Sequence, residues 1–230
     1  MRYLGGKSRI AKTLAQIIAP RGPWLEPFCG GQSMSVALSA YGPGVSGDAN
    51  AALIALYRAV RDGWQPPENV TEQEYAEARA LPDSDPRKAF FGFCCSFGSK
   101  WFGGFARGEG RNYAREGRDA LIIDAKKIRE ANVMLCNASF FDYAPQSCVE
   151  ILYCDPPYAG TTGYATGAFD HDAFWQRCRE WAAGGTRVFV SEYTAPHDAI
   201  CMWEKTIAST VSIDKSSKPR TEKLFRVPAQ

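Results

Sequence analysis

The apolar run at residues 149–154 ends abruptly at Asp155-Pro156-Pro157-Tyr158. Its β-branched and aromatic residues suit a buried strand. Two consecutive prolines, each with a fixed φ and no N–H, stop the strand there. A strand of this kind needs helices packed over it, which points to a parallel sheet with crossover connections.

The N-terminal third has the same organisation. Residues 8–19 read as a helix capped by Ser8, with Ile10, Leu14, Ile17 and Ile18 on one stripe and Pro20 as the stop. Residues 24–28 form a short strand, broken by Cys29-Gly30-Gly31-Gln32-Ser33, and a small helix follows at 34–40. Residues 44–48 are a second strand ending in Asp48, and Leu53, Ile54, Leu56, Tyr57 and Val60 mark a second helix. After Asp155 come a helix at 170–183, a buried strand at 187–190 and a closing hairpin of 206–213 with 223–227. The expected fold class is α/β, a Rossmann-like sheet with helices on both faces.

The middle differs. Thr71 and Glu74 form a capping box for a short helix that ends at Pro82. Asp83-Ser84-Asp85-Pro86 is a linker, and residues 90–118 are rich in glycine, aromatic and basic residues without clear periodicity. Residues 65–135 are therefore expected as an inserted small subdomain, with 1–64 and 136–230 forming the sheet domain.

The net charge of the 230-residue chain is only +2. Its distribution is uneven. Residues 97–118 carry five basic and two acidic side chains, and 215–226 carry five basic and one acidic. Two basic segments on a nearly neutral body suit an anionic partner. None of the eight cysteines forms a C-x-x-C pair and there are two histidines, which argues against a zinc site and for reduced thiols. No apolar run approaches the roughly 20 residues of a membrane span, and the first residues lack the apolar core of a signal peptide. The expectation is a cytoplasmic protein, in a bacterium or a phage-infected host cell, with no metal.

Two segments carry chemistry. Glu26-Pro27-Phe28-Cys29-Gly30-Gly31 sits where the first strand becomes a loop, and Asp48 ends the next strand about twenty residues on, where a carboxylate can accept from two ribose hydroxyls. The spacing is not G-x-G-x-x-G, so no pyrophosphate is demanded. In the second segment the Asp155 carboxylate and the Pro156 carbonyl are rigid acceptors, and Tyr158 supplies an aromatic face. That set matches the two N–H groups of an exocyclic amine on a planar base. Acceptors aimed at the nitrogen stabilise the positive charge that develops as it attacks a methyl group.

With these motifs the chain resembles the Dam-type (alpha group) DNA adenine N6-methyltransferases of phage and restriction-modification systems. Tyr3-Leu4-Gly5-Gly6-Lys7 resembles their aromatic-x-Gly-Gly-Lys motif, Glu26-Pro27-Phe28-Cys29-Gly30-Gly31 their Glu-Pro-Phe-x-Gly motif, and Asp48-Ala49-Asn50 their Asp-x-Asn motif. Val190-Ser191-Glu192-Tyr193 and Glu222-Lys223-Leu224-Phe225 resemble segments of phage-type members. The resemblance implies S-adenosylmethionine as cofactor. Tyr3, Gly5, Gly6 and Lys7 would lie near its methionine end. Glu26, Pro27, Phe28 and Gly30 would form the glycine-motif wall, and Asp48 and Ala49 would hold the ribose. Ser139 and Phe140 would flank its adenine. Asp155, Pro156, Pro157 and Tyr158 would be catalytic, with Asp155 also touching the cofactor. Two departures stand out: Gly30-Gly31-Gln32-Ser33 replaces the commoner Gly-x-Gly, and Phe140 stands where other members carry Tyr.

The resemblance also implies that the insertion is a target-recognition region for double-stranded DNA. Basic residues can neutralise phosphates, and Arg and Asn can read base edges. Lys100, Arg107, Arg111, Asn112, Tyr113 and Arg115 are the expected contacts, with Lys215, Lys218 and Arg220 facing the backbone. Phe97, Trp101, Phe102 and Phe105 divide between contact and core. A target adenine inside a duplex is reached only by flipping it out. The alternatives are the same chemistry on cytosine N4 or RNA adenine, or a catalytically silent DNA-binding protein. Asp155 favours adenine, since Ser-Pro-Pro-Tyr is the commoner form in cytosine N4 enzymes. A monomer or weak dimer is expected.

Overall fold

The computed structural model describes residues 1–145, 148–158, 169–207 and 220–229 and, of Ile207 and Arg220, the backbone alone. Among the described residues seven strands form one sheet: β1 (Trp24–Glu26), β2 (Gly44–Asp48), β3 (Met134–Asn137), β4 (Ile151–Cys154), β5 (Arg187–Glu192), β6 (Ile200–Ile207) and β7 (Arg220–Val227). Their order is β3-β2-β1-β4-β5-β7-β6. The pairings from β3 through β5 are parallel, and β7 runs antiparallel to both β5 and β6. The helices are α1 (Ala11–Ile18), α2 (Ser33–Leu38), α3 (Ala51–Arg61), α4 (Glu72–Glu77), α5 (Pro86–Ala89), α6 (Tyr113–Glu130) and α7 (His171–Ala183).

Alternation along the strands builds a core on each face. Trp24, Ile151, Tyr153 and Phe189 point to the face covered by α1, α2 and α3. Leu25, Leu152, Cys154, Val188 and Val190 point to the face covered by α7, through Phe174, Cys178 and Trp181. The α/β sheet with helices on both faces is therefore as expected.

Local signals fared unevenly. Asn50 caps α3 by accepting from Leu53 N–H, and the Thr71/Glu74 capping box opens α4. Ser8 does not cap α1; the helix begins after Ile10, and the Lys7 carbonyl takes the Ile10 and Ala11 N–H groups at 2.8 Å each. The closing hairpin starts earlier than expected, at Ile200, and residues 208–213 of its expected first strand lie outside the described residues.

The expected insertion is less separate than its composition implied. Tyr75, Phe90, Phe91, Phe93 and Phe102 belong to the same core as Trp24 and Leu53. Its last third is α6, which packs on α3 and leads directly into β3, so the expected boundary at 135/136 falls inside a strand. Half of the α6 residues are charged, and its buried stripe is only Ala114, Gly117, Leu121 and Ile128. Such a narrow stripe hides the helical period. Gly117 is required by close approach: a Cβ there would stand 2.6 Å from Cys94 Cβ, in the π-helical turn Phe90–Cys94.

Candidate active site

The carboxyl ends of β2, β1 and β4 lie side by side and carry Asp48, the Glu26–Gly31 segment and Asp155. Strand order reverses between β1 and β4, and the crevice at such a switch point is where open α/β sheets bind ligands.

Asp155 is met there by the opposite end of the chain. Lys7 Nζ donates to its two oxygens at 2.8 and 2.9 Å and to the Gly5 carbonyl at 3.2 Å. The same ammonium lies 3.7 Å from Glu222 Oε2 on β7. The Tyr158 hydroxyl donates to that glutamate oxygen at 2.9 Å. Lys7 Nζ lies 4.8 Å from the centre of the Tyr158 ring, and the Tyr193 ring meets it edge-on at 4.5 Å.

Lys7 is 6% exposed, and lysine tolerates such burial only when paired. Burial acts to lower its pKa, but Asp155 and Glu222 together hold it above the usual lysine range, so it stays charged. Burial raises the Asp155 pKa; Lys7 opposes this and Glu222 adds to it. Burial also keeps Tyr158 a neutral phenol. Glu222 and Tyr193 stand outside the expected site residues. Their segments were recognisable by resemblance, but nothing local says that a β7 side chain reaches the end of β4.

Asp48 accepts the Gly30 N–H at 3.0 Å on one oxygen and the Asn50 N–H at 2.9 Å on the other. A carboxylate oxygen has two acceptor sites, so both remain able to take a hydroxyl. Gly30 and Gly31 owe their identity first to a neighbour. A Cβ on Gly30 would stand 2.9 Å from the Tyr3 ring, at a φ of +42°, and one on Gly31 would stand 2.7 Å from Tyr3 Cβ. Tyr3 thus lies on the turn, while Gly5 and Gly6 beside it are exposed.

The other expected residues divide into wall and support. Glu26 is buried, bonds Ser35 on α2, and has a pKa raised well above the carboxylate range by burial; Ser35 in turn bonds Ser46 at 2.7 Å. Its carboxyl therefore ties the turn to α2. Pro27 is buried behind it, and Phe28 is half-buried, 5.5 Å from Phe140 and 6.0 Å from Phe174 between ring centres. Phe140 is itself buried and backs Phe28. Ser139 caps a short turn by accepting from Phe141 N–H, and Ala49 is exposed at the end of β2.

The basic residues of the insertion are exposed but matched. Arg107 pairs with Glu72 at 2.5 Å, Arg111 with Glu116 at 2.7 Å and Arg115 with Glu68 at 2.7 Å. Two of these acids precede the basic segment in sequence, and so its net charge overstated a bare positive surface. Asn112 caps α6 and donates to Glu68 O and Asn69 Oδ1, which engages its amide within the insertion. Arg107, Arg111 and Tyr113 line a cleft of about 350 Å³ with Val70, Cys95 and Phe105. Lys100 and Phe97 are exposed on the turn closed by the Phe97 N–H to Gly104 O bond of 2.8 Å. Phe102 is buried, and Trp101 and Phe105 are half-buried. Lys215 and Lys218 lie outside the described residues, and Arg220 begins β7.

Among the described residues no helix is long and apolar enough to cross a membrane, and no group of three or more His, Cys, Asp or Glu is placed to hold a metal. All eight cysteines are free thiols.

Residues 3–94 match the family model of the D12 class N6 adenine-specific DNA methyltransferases. The resemblance read from the motifs is borne out over that stretch. No curated protein sequence matches the chain. Among solved structures, a putative methyltransferase yhhF from Escherichia coli is similar at 12% identity and a TM-score of 0.42, covering 96% of this chain and 86% of that one. The rRNA methyltransferase aviRa from Streptomyces viridochromogenes is similar at 13% identity and a TM-score of 0.45, covering 95% and 84%.

Proposed function

We propose that this D12-class chain is a site-specific DNA adenine N6-methyltransferase that takes its methyl group from S-adenosylmethionine, with Asp155, Pro156, Pro157 and Tyr158 as its catalytic segment. The observation that carries this reading is the Asp155 carboxylate at the end of β4, beside the Gly30 turn that follows β1 and two strands from Asp48 at the end of β2. The residues present suit the cofactor. Asp48 keeps acceptor sites for a ribose diol, the half-buried Phe28 and the Tyr3–Gly30–Gly31 turn wall the crevice, and Asp155 can accept from an amino group. When bound, S-adenosylmethionine supplies an electrophilic methyl on a sulfonium.

The chain's own part is to hold and polarise the amine. Asp155 and the Pro156 carbonyl accept its two N–H groups. Each Asp155 oxygen already takes one bond from Lys7 and keeps a second acceptor site. The Asp155 carboxylate and the Pro156 carbonyl, aimed at the amine, favour the cation forming on the nitrogen. Tyr158 offers its ring to the flipped base. Arg107, Arg111, Tyr113, Arg115 and Lys100 form the DNA face of the insertion, with Asn112 holding that face together; Lys218 and Arg220 belong to the second basic segment. The enzyme works in the cytoplasm, as a monomer or weak dimer.

Methyl-labelled S-adenosylmethionine incubated with the protein and DNA, followed by digestion to nucleosides, tests the assignment. Label in N6-methyladenine is expected. Label confined to N4-methylcytosine, or transferred to RNA alone, overturns it.

A further inference from the structure

We propose that Glu222 is a positioning residue for methyl transfer, holding the Tyr158 ring in place through its hydroxyl; this rests on the methyltransferase reading above. Tyr158 follows two prolines at the end of β4, and its hydroxyl also interacts with the Asp155 carboxylate of its own segment. Three further contacts on the side chain come from elsewhere in the fold. Glu222 Oε2 accepts the hydroxyl at 2.9 Å, the Tyr193 ring meets the ring edge-on at 4.5 Å, and Lys7 Nζ stands 4.8 Å from its centre.

Glu222 can do this because β7 is antiparallel to β5. Lys223 pairs with Glu192 at the carboxyl end of β5, so the residue before Lys223 stands just past that end, level with the catalytic edge. Its carboxylate is anchored in turn by Lys7, which joins it to Asp155. A face for stacking that tilts by a fraction of its width places the amine off line for attack, and near-attack geometry is steep in rate. The ring supplies the face, while the hydroxyl serves only as its tether.

Steady-state kinetics of the full chain with DNA and S-adenosylmethionine tests the assignment. The variants are Glu222→Ala, Glu222→Gln, Tyr158→Phe and the double Glu222→Ala/Tyr158→Phe. Glu222→Ala is expected to lower kcat about tenfold, the rate equivalent of one modest hydrogen bond. KM for the cofactor should stay within about twofold, because the lost interaction is not part of cofactor binding. Glu222→Gln keeps an acceptor oxygen of the same shape and recovers most of the rate. The double variant is no slower than the slower single, the non-additivity expected of two ends of one contact. Wild-type kcat in Glu222→Ala overturns the assignment. So does a Glu222→Gln no faster than Glu222→Ala, or a double variant whose loss is the product of the two singles. Should Glu222→Ala not fold, Glu222→Gln with Tyr158→Phe gives the same cycle: full additivity there also overturns it. A wild-type chain that transfers no methyl to any nucleic acid fails the underlying reading instead.

Discussion

Lys7 and Arg107 are both cations held by a carboxylate, and the two pairs behave differently. Lys7 is buried, 148 residues from Asp155 in sequence, and shares its ammonium with a second acid on another strand. Arg107 is exposed, pairs with Glu72 at the start of a short helix nearby, and leans on Phe105 with its guanidinium 6.0 Å from the ring centre. Removing water from the first pair makes every charge in it depend on the others, while solvent screens the second. The charges at the end of β4 thus stand or fall together, whereas the exposed pairs of the insertion are each screened by solvent.

Four substitutions probe that contrast. The largest effect is expected for Asp155→Ala: methyl transfer falls by roughly a hundred- to a thousand-fold, while DNA binding by gel shift survives. Loss of both together would mean that the two regions are not separable. Next, Lys7→Met leaves a buried carboxylate unpaired and should cost about 3 kcal/mol in urea unfolding. Because the folded-state pKa of Lys7 is raised, its stabilisation is complete below the ordinary lysine range and is lost as pH rises through the folded value. The gap between wild type and variant should therefore stay constant from neutral pH upward and close only in strong alkali. Lys7 also opposes the upward shift of Asp155, so the acid limb of kcat/KM in Lys7→Met should move to higher pH. An unmoved limb would separate Asp155 ionisation from catalysis.

A smaller effect is expected at the glycine turn. Gly31→Ala sets a Cβ against Tyr3 and should destabilise by about 1–3 kcal/mol, with weaker cofactor binding by calorimetry; unchanged affinity would detach Tyr3 from the crevice. Smallest is Arg107→Ala. Its stability change should lie within about 0.5 kcal/mol, while the salt dependence of DNA binding loses about one unit of slope. A stability loss as large as that of Lys7→Met would put Arg107 in a structural role.

The fold was legible wherever local signals are strong. The apolar runs at β4 and β5, the Thr71 capping box and the proline stop after Cys154 each follow from chemistry within a few residues, whereas Ser8 does not cap α1 as expected. The positions of Asp155 and Asp48 were legible for the same reason, since both are acids at strand ends. β3 and α6 were not. The strand is four residues long with Met134 exposed, and the helix buries a narrow, partly small-residue stripe under many charges. Neither has a periodicity that stands above its surroundings.

By itself, the amino-acid sequence determined the chemical groups and the strand ends on which they sit, because a proline pair, a capping side chain or an apolar alternation acts on its immediate neighbours. Only the tertiary structure decided which groups meet. Lys7 reaches Asp155 and Tyr3 covers Gly30 and Gly31 because the first segment folds over the β1 turn, next to β4, and Glu222 joins them because β7 turns back along β5. The arginines of the insertion found their acids in the same way, from α4 and the chain before it. Strand order and register bring together residues far apart in the chain, and no local pattern encodes them.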